Sequence, residues 1–77
     1  MKEMIKRLVE TYGPSGHEEQ ISALIQELVR PCVDDVRTDA LGNVIALKRG
    51  TGSGVPVMVA AHMDEIGLVV TWVDDKG

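Results

Sequence analysis

The chain has 77 residues, a formal net charge of −4 and a hydrophobic fraction of 44%. That much apolar content argues against disorder, and scattered charges without a basic block argue against nucleic acid or an anionic membrane as partners. One cysteine excludes an internal disulfide, and so short a domain buries only roughly 60–65% of its unfolded surface, which leaves a thin stability margin.

Met1, Met4, Ile5, Leu8, Val9 and Tyr12 recur at helical spacing and predict a first amphipathic helix. Gly13-Pro14-Ser15-Gly16 stops it. Ser15 and Glu18 form an S-x-x-E capping box, so a second helix is expected to start near Gly16. Ile21, Leu24, Ile25, Leu28 and Val29 give that helix its apolar face, and Pro31 ends it. Met1-Lys2-Glu3-Met4 leads into charges, not into the apolar stretch of a signal peptide. Cys32 reads as a buried structural thiol, and a lone thiol fits the cytoplasm better than secretion.

Val33 to Asp39 and Val44 to Arg49 read as two strands of a hairpin about a Leu41-Gly42-Asn43 turn. Gly50 to Gly54 is a flexible connection. It lacks the lysine and the following helix of a phosphate loop. Val55 to Ala61 is apolar on both faces, which predicts a central strand with helices on either side, and Pro56 suits its start. Ile66 to Val73 is expected to be a further strand, followed by a turn at Asp74 to Gly77.

The sharpest chemical feature is His62-Met63-Asp64-Glu65-Ile66-Gly67, directly after the expected central strand. Sites in open α/β sheets gather at the carboxyl ends of strands. Two residues apart in an extended segment, His62 and Asp64 project to the same side. A neutral imidazole can ligate a metal through one nitrogen while a carboxylate holds the other. The same pattern also fits a histidine hydrogen-bonded near a sheet edge, with Asp64 capping a turn. Glu65 reads as a solvated carboxylate or a further ligand. His17 reads as a surface residue, and Asp34, Asp35, Asp74 and Asp75 as strand-end and turn residues.

Three segments together resemble the deblocking, or glutamyl, aminopeptidases of TET type. They are Gly13-Pro14-Ser15-Gly16-His17-Glu18, Thr38-Asp39-Ala40-Leu41-Gly42-Asn43-Val44 and Ala61-His62-Met63-Asp64-Glu65-Ile66-Gly67, and in order they span nearly the whole chain. The resemblance implies an α/β fold, the N-terminal part of a three-layer α/β/α zinc-exopeptidase sandwich with an incomplete sheet. Residues 1–66 would belong to the catalytic domain and 67–77 would begin an inserted β-rich dimerisation domain. It implies a metallo-aminopeptidase that removes N-terminal amino acids from peptides with two divalent ions, zinc or cobalt. By position His62 matches a metal ligand, and Asp64 matches the catalytic-site carboxylate that orients it. The family's complete enzymes are cytoplasmic homo-oligomers, dimers assembled into a dodecamer. Members are several times longer than this chain. Their bridging aspartate, glutamate base and remaining ligands lie downstream and have no counterpart here, so a 77-residue piece is expected to be inactive alone. Two other classes stand beside this one: a non-enzymatic module that pairs through an exposed sheet edge, and the cellulase label that some family members have carried.

Overall fold

A computed structural model describes residues 1–77. The element order is α1 (Lys2–Glu10), α2 (Glu19–Val29), a 3₁₀ turn (Arg30–Cys32), β1 (Asp35–Thr38) and β2 (Val44–Leu47). This is a small α/β unit with two helices and one two-stranded antiparallel sheet. No helix is long and apolar enough to cross a membrane.

Helix α1 forms where the helical spacing places it. Glu3 in its first turn and Arg7 in its last complement the helix dipole. At its end Thr11 folds back, its hydroxyl donating to the Arg7 carbonyl at 2.5 Å. Of the expected apolar face only Leu8 is half-buried. Helix α2 carries the core, with Ile21 at 4% and Leu24 at 8% exposure, and Ile25, Leu28 and Val29 half-buried. An Arg7–Glu27 ion pair at 3.3 Å links the two helices across an exposed rim.

The second helix starts at Glu19, three residues later than the capping box predicts. Ser15 does not cap it, because its hydroxyl is taken by Asp64. The chain instead turns through residues 14–17, with the His17 N–H donating to the Pro14 carbonyl at 2.8 Å and Gly16 at a φ of 86°. Glu18 keeps half of the expected device: its carboxylate accepts the Gly16 N–H at 2.7 Å.

The hairpin falls inside the expected segments and is shorter than them. Its register pairs Asp35 with Leu47, Val36 with Ala46, Arg37 with Ile45 and Thr38 with Val44. Asp39 builds the turn. Its carboxylate accepts the N–H of Leu41 at 3.0 Å, the N–H of Asn43 at 2.9 Å and the Asn43 side-chain amide at 2.9 Å. Gly42, at a φ of 90°, supplies the left-handed residue. These hydrogen bonds, that of the Asn43 side chain foremost, hold the Asp39 carboxyl below its ordinary value. A group whose native value is depressed stabilises the fold above its unfolded value and loses that contribution as pH falls through the native one. An acid titration followed at the Leu41 and Asn43 amides should therefore show the turn opening below the ordinary aspartate range. Opening at or above that range would remove Asp39 as its keystone.

Three expectations are corrected. Val55 to Ala61 is not a strand and is exposed throughout, Val59 at 91%. Ile66 to Val73 is likewise exposed and unpaired, Ile66 at 98%. A strand buried on both faces needs neighbours for its backbone groups and cover for its side chains, and these 77 residues supply neither. Cys32 is exposed, because the 3₁₀ turn carries it away from the α2 core. The outline reflects this openness: the radius of gyration is 16.7 Å, against about 11–12 Å for a compact chain of this length. The turn at the end does form, with Asp74 accepting the N–H groups of Lys76 and Gly77.

Candidate functional site

Two segments about fifty residues apart in sequence meet at one place. Pro14 and Glu65 form a parallel bridge. The Ser15 N–H donates to the Glu65 carbonyl at 3.2 Å, and the Glu65 N–H donates to the Gly13 carbonyl at 3.0 Å. A glycine on each segment leaves room for a close neighbour. A Cβ on Gly13 would lie 2.8 Å from the Ile21 Cβ, and one on Gly67 would lie 2.6 Å from the Pro14 Cβ. Gly13 therefore lets the turn pack onto α2, and Gly67 lets the 62–67 segment pack against Pro14 of that turn.

That closure fixes Asp64. One carboxylate oxygen, Oδ2, accepts the Ser15 hydroxyl, and the other, Oδ1, lies 3.0 Å from Nδ1 of His62. Nδ1 is also 3.1 Å from the Asp64 carbonyl. The Ser15 hydroxyl first, and then the imidazole, hold the Asp64 carboxyl below its ordinary value. An ionised carboxylate only accepts, so Nδ1 must carry the proton. In the neutral ring Nε2 then keeps a free lone pair, the electronic state a metal or a proton requires. The His62 side chain is 85% exposed and that of Asp64 38% exposed. The pair stands on the wall of an open cleft of about 480 Å³, shared with Glu18, Ile25 and Asn43.

The remaining candidates lie elsewhere or turn outward. Glu65 contributes its backbone to the bridge, and its side chain is exposed. His17 is exposed, as the sequence suggests. Asp34 accepts the Arg49 N–H at 2.6 Å just before β1, a strand-end role. No three histidine, cysteine or acidic side chains gather anywhere in the chain. As a donor set the site thus fits one imidazole ligand with its orienting carboxylate, and it does not by itself complete a metal centre. Sequence reasoning missed Ser15 as a partner of Asp64. Its S-x-x-E spacing points to helix capping, and nothing in the spacing signals a contact across 49 positions.

Residues 42–77 match the sequence profile of the M42 glutamyl aminopeptidases. The whole chain is 49% identical over 77 residues to a protein of Acetivibrio thermocellus provisionally named an aminopeptidase, covering 23% of that protein's length. It is 45% identical over 76 residues to a lysyl aminopeptidase of Pyrococcus furiosus, which takes in 97% of this chain and 21% of that protein. A third relative, from the same organism and provisionally named a LysW-lysine/LysW-ornithine hydrolase, is 36% identical over 64 residues, with 83% of this chain and 19% of its own length covered. The chain thus spans about a fifth to a quarter of the curated relatives it matches. No solved structure matches it.

Proposed function

We propose that this chain, a member of the M42 glutamyl aminopeptidase family, contributes one metal-binding imidazole and its orienting carboxylate to an aminopeptidase. The other active-site groups would come from sequence beyond these 77 residues, as the length of the relatives allows. The observation that carries this reading is the His62–Asp64 pair, with Nδ1 engaged and Nε2 free, inside the segment that matches the family profile.

In this reading His62 offers Nε2 to a divalent ion, zinc or cobalt, of a two-metal centre. Asp64 fixes the tautomer and the plane of the ring. A metal pair, when bound, would supply Lewis acidity for hydrolysis of the N-terminal peptide bond. The complete protein would be a three-layer α/β/α sandwich in which Val55 to Ala61 becomes the central strand once neighbours flank it. Residues 1–66 would then belong to the catalytic domain and 67–77 would open an inserted β-rich domain. A homo-oligomeric assembly, and a reducing cytoplasmic setting suggested by the single Cys32 thiol, belong to the same proposal. Neither the edge-pairing module nor the cellulase label gains support from the relatives.

The test is peptide hydrolysis by the complete protein that carries this sequence. It should release single residues from peptides with a free N-terminal amine. A chelator should stop the release, and zinc or cobalt should restore it. Hydrolysis that survives metal removal, or inertness of the metal-loaded protein on a broad panel of such peptides, would sink the reading.

A further inference from the structure

We propose that Ser15 is a positioning residue for His62, acting through Asp64. The inference rests on the reading of His62 as a metal ligand. It adds a third member, from a remote segment, to the pair that the His-x-Asp spacing brings together.

Three observations carry it. Asp64 is held at both oxygens, by the Ser15 hydroxyl on Oδ2 and by the imidazole on Oδ1. The terminal torsion of an aspartate is broad, so a carboxylate tied at one oxygen alone can swing, and the ring it holds swings with it. Tied at both, its plane is set. Ser15 is itself fixed by backbone: its N–H donates to the Glu65 carbonyl, and the Glu65 N–H donates to the Gly13 carbonyl. These bonds lock the turn before α2 against the residue after Asp64. Finally, every hydrogen bond of the His62 ring runs to Asp64, and the side chain is 85% exposed. Packing does not hold the ring in place, so the chain from Ser15 through Asp64 is what orients it.

Such outer partners typically change metal affinity 10–100-fold when removed. The test is zinc affinity, by competition with a chromophoric chelator, in the complete protein and in Ser15→Ala, Ser15→Thr, Asp64→Ala and the Ser15→Ala/Asp64→Ala double variant. Ser15→Ala should weaken zinc about 10-fold, and Ser15→Thr, which keeps the hydroxyl, should restore it. The double variant should be no weaker than Asp64→Ala alone, because Ser15 acts through that carboxylate. A serine that merely seals the turn would instead give additive losses. Wild-type affinity in Ser15→Ala, or additivity in the double variant, overturns the inference.

If the wild-type protein binds no zinc, the ligand reading of His62 has failed, and the Ser15 link is read separately. Nitrogen-15 shifts of the metal-free protein report which His62 nitrogen carries the proton. Ser15→Ala should raise the share of the Nε2-protonated tautomer, and an unchanged share would break the link.

Discussion

Replacing His62 with alanine in the complete protein is expected to abolish the metal-dependent peptide hydrolysis proposed above. The loss should exceed the roughly 10–100-fold that removal of an outer partner causes. The small number of donors sets the size of the loss. Nε2 is the atom this pair would offer a metal, and no group of three histidine, cysteine or acidic side chains gathers in the chain to replace it. Zinc or cobalt bound per protomer should fall along with the rate, which separates a lost ligand from a lost substrate contact. Asp64→Asn should be milder. An asparagine oxygen can still accept from Nδ1, but it carries no charge to raise the basicity of the ring, so a 10–100-fold loss is expected with much of the metal retained. His17→Ala serves as the control. That side chain is exposed and makes no hydrogen bond with the site, so its rate should stay within about twofold, as for an ordinary surface substitution. Equal losses in the His62 and His17 variants would refute the assignment.

The legible parts of this chain were those governed by neighbours in sequence. The helical spacing of Ile21, Leu24, Ile25, Leu28 and Val29 marks the face that α2 buries. The Leu41-Gly42-Asn43 signal marks the hairpin turn, though it does not reveal that Asp39 organises it with three accepted hydrogen bonds. The His62–Asp64 contact follows from a separation of two in extended chain. What local pattern could not give was anything that depends on partners. Val55 to Ala61 has the composition of a central strand, yet composition states a demand for neighbours and does not provide them. The S-x-x-E pattern at Ser15 and Glu18 allowed a local use for the hydroxyl, and a remote carboxylate won it. Asp64 is charged and aligned, and its hydrogen bond is stronger than one to a neutral backbone group.

Ile21→Ala is expected to have the largest effect on folding, destabilising the chain by about 2–5 kcal/mol. A compact domain of this length would have roughly 4–12 kcal/mol in total, and this open chain with its small core has less. One substitution would thus remove a large share of it, and the urea midpoint of the 77-residue chain should drop or the transition vanish. The reason is specific to the position. Ile21 is among the few buried side chains, and its Cβ lies where Gly13 must pass. Val59→Ala removes apolar carbon from a residue 91% exposed and should leave the midpoint nearly unchanged. Equal shifts in the two variants would show that the core does not sit on α2. The same contact ties stability to the site. Gly13 backs onto Ile21 and carries the carbonyl that receives the Glu65 N–H, so a cavity at Ile21 frees the turn that presents Ser15. In the complete protein Ile21→Ala should therefore weaken the hold on Asp64 as well as the fold, whereas a core loss remote from Gly13 would lower stability and leave that hold intact.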